Sequence, residues 1–379
     1  MVRVLVDATA LPTDRGGVGR YLDGLLGALA GSAGAGAQVV VASKPADRAG
    51  YEALGLEVVT GPRALDSRPV RLGWEQTGLL RVARRVRPDV LHSPHYTQPV
   101  FARLPTVVTV HDATFFTDPR LHSVVKARFF RTATRWAARR ATGLIAPSAA
   151  TREELAQHAH VALDRVTVAP LGVDRAVFHP PAAEDVARLR QQLELGDAEF
   201  IAFLGTVEPR KNVSALVRGW ALAVRDLPRP PALVVAGGHG WDDTVDAAVA
   251  GIPSRLRVIR PGYLPMADLP ALLGGAAVVA YPSFGEGFGL PVLEAMACGA
   301  MVLTTRRLAL PEVGGDAVAY TEPDDASIAA ALRDLLADDA ARALLGKAAQ
   351  ERATLFTWDR CARLHVQAYR AAAAAEVRR

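Results

Sequence analysis

Two glutamates eight residues apart follow a short apolar run in the second half of the chain. Glu286 lies in the glycine-rich stretch Tyr281-Pro-Ser-Phe-Gly-Glu-Gly-Phe-Gly-Leu-Pro, and Glu294 lies in the apolar segment that follows it. The run Val278–Ala280 predicts a buried strand, and Pro291 is typical of the first turn of a helix. Glycines let a backbone approach a ligand closely, and the amides at a helix start bind anions such as phosphate. Carboxylates accept hydrogen bonds from paired hydroxyls, so the two glutamates suit sugar rings.

A second motif brings adjacent cations to the end of another apolar run. In Phe203-Leu-Gly-Thr-Val-Glu-Pro-Arg-Lys-Asn212, the two cations are Arg210 and Lys211. Neighbouring positive charges neutralise a bound diphosphate and stabilise the charge that grows on a departing nucleotide. The alternative interpretation is a solvated pair on the surface.

The string from Tyr281 to Gly299 resembles the signature of the retaining glycosyltransferases of family four. Their hallmark is a pair of glutamates separated by seven residues, as Glu286 and Glu294 are. The resemblance implies that Glu294 binds the ribose of the donor and that Glu286 contacts the transferred sugar. It also implies backbone-amide contacts to the sugar and the diphosphate from three residues, which are Phe288, Gly289 and Leu290.

Other loops are similar to the same family. The glycines Gly16 and Gly17, in the loop Thr13–Tyr21, are implied to approach the donor phosphates and the acceptor. His111 follows an apolar run and is implied to contact the donor sugar near the reacting centre. Two further residues complete the expected donor site: Gly205, in the cation motif, and Tyr263, whose neighbourhood would lie against the nucleotide base.

The first glycine loop also has to be weighed as a dinucleotide fingerprint. Gly17 and Gly19 fit the pattern Gly-x-Gly-x-x-Gly, but Leu22 stands where the third glycine belongs. No acidic residue lies about twenty positions further on, where a ribose partner is expected. A nicotinamide cofactor is therefore not expected, and we predict no cofactor at all.

Polar residues that could recognise an acceptor follow another predicted strand. The segment His92-Ser-Pro-His-Tyr-Thr-Gln-Pro99 contains His95 and Tyr96, and an irregular structural loop is the alternative. Similar strings occur in bacterial mannosyltransferases of this family, which favours GDP-mannose as the donor over UDP-glucose. Ser148 is predicted to cap a helix, and an acceptor contact by its hydroxyl is the weaker expectation.

Short β-branched runs alternate with longer segments rich in Ala, Leu and Arg along the chain. This alternation predicts an α/β fold with parallel sheets buried on both faces. Predicted strands in the first half are Val2–Val6, Val39–Ala42, Val90–His92, Thr106–His111 and Gly143–Ala146, and those in the second half are Phe200–Gly205, Ala232–Ala236, Val258–Arg260, Val278–Ala280 and Met301–Thr304. The motif residues follow several of these strands, at the edge where doubly wound sheets bind ligands.

A proline-rich segment, Pro170–Pro181, predicts the domain boundary. The resemblance implies the GT-B architecture, in which two Rossmann-like doubly wound domains face a cleft. We predict an acceptor domain at residues 1–175 and a nucleotide-sugar donor domain at residues 176–357. A final helix at about residues 358–375 is expected to pack back on the first domain.

Composition restricts the compartment and the partners. The chain has only two cysteines, no zinc-type ligand spacing, no signal-peptide core and no long apolar span, which favours the cytoplasm. Basic residues outnumber acidic ones in residues 1–180, which suggests a polyanionic partner, although no nucleic-acid recognition module is present. The segment 126–140 is basic, with a stripe at Arg128, Arg131, Arg135 and Arg139, and predicts an anionic membrane surface or simply a solvated helix.

These features predict a retaining hexosyltransferase that moves a sugar from a nucleotide diphosphate to a hydroxyl acceptor. The acceptor proton is expected to pass to the departing phosphate oxygen on the same face of the sugar. No metal is expected, because the chain has no Asp-x-Asp sequence. The rival interpretations are a nucleotide-sugar epimerase on the same architecture and a binding protein without activity.

Overall fold

The structure, a computed structural model, describes residues 1–11 and 15–376 of the 379-residue chain. Thr13, where the first glycine motif begins, lies outside the described residues. The chain divides into two compact units. The first contains Met1–Gly172 and the segment from Thr357 onward, and the second contains Val173–Phe356.

The first unit is built on a parallel sheet of seven strands within the described residues. The strands are β1 (Val2–Asp7), β2 (Ala37–Ser43), β3 (Glu57–Thr60), β4 (Val90–Ser93), β5 (Thr106–Thr109), β6 (Gly143–Ala146) and β7 (Val166–Val168), in the spatial order β3-β2-β1-β4-β5-β6-β7. The helices between them are α1 (Gly17–Ala30), α2 (Arg48–Ala53), α3 (Arg68–Val86), α4 (Thr114–Thr117), α5 (Val124–Arg140) and α6 (Ala149–Ala159).

The second unit repeats this plan with six parallel strands among the residues described. They are β8 (Phe200–Leu204), β9 (Ala232–Ala236), β10 (Val258–Gly262), β11 (Val278–Tyr281), β12 (Val302–Thr305) and β13 (Ala319–Thr321), in the order β10-β9-β8-β11-β12-β13. Its helices are α7 (Ala183–Gln192), α8 (Val213–Val224), α9 (Thr244–Ala250), α10 (Leu269–Gly274), α11 (Leu290–Ala297), α12 (Leu310–Gly314), α13 (Asp325–Ala337) and α14 (Asp339–Ala353).

Both sheets have fully buried central strands, as parallel sheets covered by helices require. Every residue of β8, β9 and β11 is buried in the second unit, and so is every residue of β4 and β5 in the first. The predicted α/β class with two Rossmann-like parallel sheets is confirmed. Two predicted strands were too long, since β5 ends at Thr109 and β8 ends at Leu204, which leaves His111 and Gly205 in the loops beyond.

The last helix, α15 (Trp358–Glu376), belongs to the first unit. It packs along α1, where Gly24 leaves room for the ring of Trp358 that a larger side chain would occupy. His365 and Tyr369, further along α15, are completely buried polar side chains. Across the helices of the described residues, we find none that combines the length and the apolar character needed to cross a membrane.

Candidate active site

The cation motif and the glutamate motif meet at the carboxyl edge of the second sheet. β8 and β11 are neighbours, so the loops that follow them leave the sheet side by side. The backbone carbonyl of Arg210 accepts a hydrogen bond from the Phe284 amide (2.9 Å) and shares the single hydrogen of the Ser283 hydroxyl (3.0 Å) with the Glu286 carboxylate. These bonds join two loops that are more than seventy residues apart in sequence.

Arg210 is bound to the glutamate loop by its side chain as well. Its Nη1 lies 2.5 Å from Oε2 of Glu286 and donates to the backbone carbonyl of Gly285 at 2.7 Å. Its Nη2 lies 3.5 Å from Glu208. Because both side chains of the Arg210–Glu286 pair are largely buried, little water screens the attraction between their charges.

Tyr281 connects Lys211 to the same glutamate. Lys211 Nζ donates to the Tyr281 hydroxyl at 2.6 Å, and that hydroxyl donates to Oε1 of Glu286 at 2.9 Å. Oε1 also accepts a hydrogen bond from the Ser283 hydroxyl at 3.0 Å. Both oxygens of the Glu286 carboxylate are therefore held by donors from its own unit.

The charges of this cluster keep Glu286 ionised. Burial alone would raise the pKa of Glu286, but the positive charges of Arg210 and Lys211, with the hydrogen bonds to the carboxylate, bring it below its ordinary value. Burial, followed by the negative charge of Glu286, raises the pKa of Tyr281 well above its ordinary value. Tyr281 thus remains a neutral hydroxyl that accepts from the lysine and donates to the carboxylate.

Gly205 leaves the space that the ammonium group of Lys211 occupies. A Cβ at residue 205 would lie 2.9 Å from Lys211 Nζ and 3.3 Å from Lys211 Cδ. Any larger residue would therefore displace the lysine from Tyr281. The role predicted for Gly205 at the donor remains a prediction, but its position supports one of the cations.

Helix α11 begins beside this cluster at Leu290, and the preceding N-cap residue, Gly289, has a φ of 104° in the left-handed region that favours glycine. Leu290 and Phe288 are buried, and the Phe288 ring packs edge-to-face on Phe356 with centroids 5.9 Å apart. Both side chains are thus part of the core, which leaves their backbone amides for the predicted contacts. Glu294 lies within the helix, as the sequence predicts, and its side chain is buried.

The Glu294 carboxylate affects the pKa of a neighbouring cysteine. Burial and then the charge of Glu294 raise the pKa of the Cys298 thiol to about 12, so Cys298 remains an unreactive thiol.

Tyr263 follows β10 and is largely exposed, and its hydroxyl lies close to Gly238, where a Cβ would be 2.7 Å from it. The aromatic ring therefore lies at the same carboxyl edge of the second sheet.

His111 lies just beyond β5 in the first unit. Its Nε2 donates to the Pro94 carbonyl at 2.7 Å, which leaves Nδ1 as the nitrogen with a lone pair. The ring also meets Tyr21 edge-on, with centroids 4.8 Å apart. Burial lowers the pKa of His111, although the Pro94 hydrogen bond and the charge of Asp112 oppose that shift. His111 is therefore a neutral imidazole in a fixed tautomer.

The predicted acceptor residues divide into two kinds. Tyr96 is buried, and its hydroxyl donates to Oδ2 of Asp112 (2.9 Å) and accepts from the Asp112 amide (3.2 Å). This hydroxyl is thus a structural support for the His111 loop. His95 is half-buried beside Tyr96 and His111, and burial followed by the charge of His111 lowers its pKa to about 3.

Ser148 and the first glycine loop lie at the starts of two helices. Ser148 is buried and caps α6, where its hydroxyl accepts from the Thr151 amide at 3.1 Å. The predicted cap is present, and the acceptor contact of this hydroxyl stays a prediction. Gly16 precedes α1 and Gly17 is its first residue, and both are exposed with no atom within 4 Å of a Cβ built on them.

The basic segment differs from its prediction in one residue. The stripe on α5 was expected to include Arg131, but its Nε donates to the Phe115 carbonyl at 2.6 Å and its guanidinium lies near the Phe116 ring. Arg131 therefore holds α5 against α4. Arg128, Arg135 and Arg139 are exposed, as the stripe predicts.

Comparison with known proteins identifies this architecture. The family model described as "Glycosyltransferase Family 4" matches residues 15–177, and the one described as "Glycosyl transferases group 1" matches residues 185–352. The chain is 31% identical over 284 residues to the O-antigen chain mannosyltransferase B of Escherichia coli, covering 74% of each protein. The chain belongs to glycosyltransferase family 4. It is a hexosyltransferase with the GT-B fold, as predicted.

One further relative and one solved structure extend this comparison. The serotype-specific mannosyltransferase WbdA of Escherichia coli is 32% identical over 236 residues, which is 61% of this chain but only 29% of that longer protein. The crystal structure of Anabaena Alr3699/HepE in complex with UDP-glucose has a TM-score of 0.75 at 20% identity, covering 97% of this chain and 98% of the other. At that identity, the second comparison concerns the fold alone.

In this glycosyltransferase, the second unit brings together Arg210, Lys211 and Glu286, and it adds two residues that the sequence did not single out. Tyr281 and Ser283 both bind the Glu286 carboxylate. The available signal was their position, since Tyr281 ends β11 and Ser283 lies between that strand and Glu286. Among the described residues, no group of three or more His, Cys, Asp or Glu side chains is arranged to hold a metal ion.

Proposed function

We propose that this glycosyltransferase moves mannose from GDP-mannose to a hydroxyl acceptor, with retention of the anomeric configuration and without a metal ion. The observation that carries the proposal is the cluster of Arg210, Lys211 and Glu286 next to the start of α11. The choice of mannose is supported by the relative named as an O-antigen chain mannosyltransferase. UDP-glucose, which is bound in the Anabaena structure of the same fold, is the second candidate.

In the proposed reaction, the bond between the anomeric carbon and the diphosphate oxygen breaks while the acceptor oxygen bonds to the same carbon. The acceptor proton passes to the departing diphosphate oxygen on the same face of the sugar. Arg210, Lys211 and the amides at the start of α11 stabilise the negative charge on that leaving group. Because these groups are held in place before the reaction, they need little reorganisation when the charge develops.

The hydrogen bonding of Glu286 supports this front-face course over a double displacement. A carboxylate nucleophile must direct a lone pair at the anomeric carbon. The Glu286 oxygens instead accept from Tyr281, Ser283 and Arg210, and these bonds withdraw electron density from both. A carboxylate held in this way suits the electrostatic stabilisation of a positively charged sugar better than attack on it.

The donor is tested by thermal-shift measurements with GDP-mannose and UDP-glucose at equal concentrations, because a ligand that binds the native state raises the unfolding midpoint. We expect the larger rise with GDP-mannose.

Activity assays test the metal independence and the stereochemistry. Nucleotide release, measured with mannose-terminated oligosaccharides in excess chelator, should persist, and NMR of the product should show the anomeric configuration of the donor. An inverted product, or activity that returns only with Mg²⁺, would contradict the mechanism, and epimerised donor without acceptor would indicate an epimerase.

We further propose that this enzyme works at an anionic membrane surface through the start of α5. Val124 and Val125 are 82% and 80% exposed, and the exposed cations Lys126, Arg128 and Arg135 follow them on the same helix. Apolar side chains beside a basic face bind lipid by insertion and by attraction to acidic headgroups. The membrane would supply lipid-linked acceptors.

Vesicle flotation tests this surface. We expect the protein to float with vesicles of phosphatidylcholine and phosphatidylglycerol but not with phosphatidylcholine alone, because each basic side chain near an anionic surface adds about 1 kcal/mol of attraction. The double variant Val124→Ser/Val125→Ser should remain in solution. The control is Leu344→Ser, which removes an apolar side chain that is 71% exposed in the second unit. Equal recovery with both vesicle types would refute the proposal.

A further inference from the structure

A continuous chain of hydrogen bonds runs through the core of the first unit, next to His111. It joins the final helix α15 to α1, β4 and β5. Its members are Tyr369, His92, Thr109, Tyr21, His365 and the carbonyl of Cys361, with successive heavy-atom distances of 2.9, 2.9, 2.9, 2.8 and 2.8 Å. All of these side chains are buried, so water does not replace any of the links.

The direction of every bond in this buried hydrogen-bond chain follows from its last link. A backbone carbonyl only accepts, so His365 donates from Nδ1 to Cys361. Burial lowers the pKa of His365 to about 4, so the ring is neutral near pH 7 and its Nε2 accepts from the Tyr21 hydroxyl. The Tyr21 oxygen then accepts from the hydroxyl of Thr109.

The remaining two links are fixed in the same way. Thr109 has given its hydrogen to Tyr21, so it accepts from Nε2 of His92. Burial lowers the pKa of His92 well below its ordinary value, which makes Nδ1 an acceptor for the Tyr369 hydroxyl. Each donor hydrogen is used once, and each histidine has one tautomer.

A ring contact between Tyr21 and His111 connects the buried hydrogen-bond chain to the His111 imidazole. Its ring is completely buried and meets the imidazole of His111 at an interplanar angle of 76°, with centroids 4.8 Å apart. The Pro94 carbonyl fixes the direction of the His111 Nε2–H bond, and the Tyr21 ring limits the tilt of the imidazole about that bond. The rings of Tyr96 and His95 lie farther away, with centroids 5.8 and 6.1 Å from that of His111, so the Pro94 carbonyl and the nearer Tyr21 ring contribute most to the direction of the Nδ1 lone pair.

We propose that Tyr21 and His365 are positioning residues for glycosyl transfer, because they hold the ring against which the His111 imidazole is oriented. The inference rests on the proposed glycosyl transfer and on the expectation, implied by the family resemblance, that His111 contacts the donor sugar. The Tyr21 hydroxyl is the essential element, since its two hydrogen bonds fix the position of the ring on either side. The final helix therefore contributes to the geometry of the active site through the hydrogen bond between His365 and Tyr21.

Three variants and one matched control test this role. Tyr21→Phe keeps the ring but removes both hydrogen bonds, and His365→Leu removes the acceptor of Tyr21. His365→Gln places an amide oxygen where Nε2 accepted and should restore the link. Tyr369→Phe removes one buried hydroxyl at the far end of the buried hydrogen-bond chain and serves as the control.

We expect the NMR signals of the His111 ring to shift in Tyr21→Phe and His365→Leu, in protein with labelled histidines and no substrate. The turnover number of both should fall about tenfold with little change in KM, because small displacements of an active-site group affect the reaction step. His365→Gln should recover most of the turnover. Tyr369→Phe should be destabilised, because a buried partner is lost, while its His111 signals and turnover stay near those of the wild type.

The readouts separate the possible failures. If Tyr21→Phe only lowers the unfolding midpoint and leaves both the His111 signals and the turnover unchanged, the residue is structural and the proposal is wrong. If the signals move but the turnover does not, the orientation of His111 is irrelevant to transfer, and the proposal is equally refuted. Wild-type protein that turns over neither GDP-mannose nor UDP-glucose would refute the proposed function, while the NMR comparison would still report on the position of His111.

Discussion

Lys211→Ala is expected to lower the turnover number about a hundredfold, the effect of removing one preorganised donor from a site where negative charge develops. Lys211 Nζ is held by the Tyr281 hydroxyl at 2.6 Å and lies over the Tyr281 ring, 5.1 Å from its centroid. The ammonium is therefore in place before the diphosphate departs. Its loss removes charge stabilisation that is greater in the transition state than in the ground state, so turnover should fall more than donor affinity.

The control for this prediction is Lys347→Ala, which removes an exposed lysine from α14 of the same unit. Its turnover should match that of the wild type. Steady-state kinetics of nucleotide release, with circular dichroism to establish that both variants are folded, provide the comparison. Equal turnover in the Lys211 variant and the wild type would remove this lysine from the active site.

The sequence predicted the centre of each sheet and missed three strands at the edges. The missed strands are β3, β7 and β13, which have only three or four residues and lie at the ends of the two sheets. Each includes Thr or Glu, and most of their residues are only partly buried. An edge strand packs against one neighbour, so it does not need the continuous apolar run that revealed the central strands.

The residues of the site that belong to local sequence motifs could be predicted. Arg210, Lys211 and Glu286 were predicted because each lies in a motif that follows a predicted strand and resembles family four. The roles of Tyr281 and Ser283 depend on which loops cross, and spacing along one segment carries no such information. The same limit applies to the hydrogen bond between the Tyr96 hydroxyl and Asp112, which joins the loops that follow two different strands.

The buried hydrogen-bond chain shows this limit over a longer distance. Tyr21 and His365 are 344 residues apart, and all of the second unit lies between them in the sequence. No local pattern distinguishes such a histidine from one at the surface. Only the folded arrangement reveals that His365 faces another polar group and not an apolar one.

Glu286→Gln is expected to reduce the turnover number by about a hundredfold to a thousandfold, comparable to the loss of an electrostatic group in other active sites. The carboxylate balances Arg210 at 2.5 Å and accepts from Tyr281 and Ser283. An amide has one accepting oxygen and one donating nitrogen, so it cannot accept on both sides. Either Arg210 or the two hydroxyls would face an N–H group, and the loop would shift.

The control is Glu208→Gln, which changes a carboxylate 3.5 Å from the same arginine and should have the smaller effect. Both variants are compared by nucleotide release and by the unfolding midpoint. A loss of turnover in Glu286→Gln no larger than that in Glu208→Gln would show that Glu286 has no special part in the reaction.

The residual turnover of Glu286→Gln and its response to azide also distinguish the two retaining mechanisms. A front-face reaction should leave Glu286→Gln measurably active, because the leaving group still meets Arg210 and Lys211, and azide should not restore its turnover. A double displacement would abolish activity in the same variant, and azide would then restore turnover by attacking the anomeric carbon to give a glycosyl azide of inverted configuration. Since Tyr281, Ser283 and Arg210 already bind the carboxylate oxygens, we expect residual activity without azide rescue and no glycosyl-enzyme in intact-protein mass spectra.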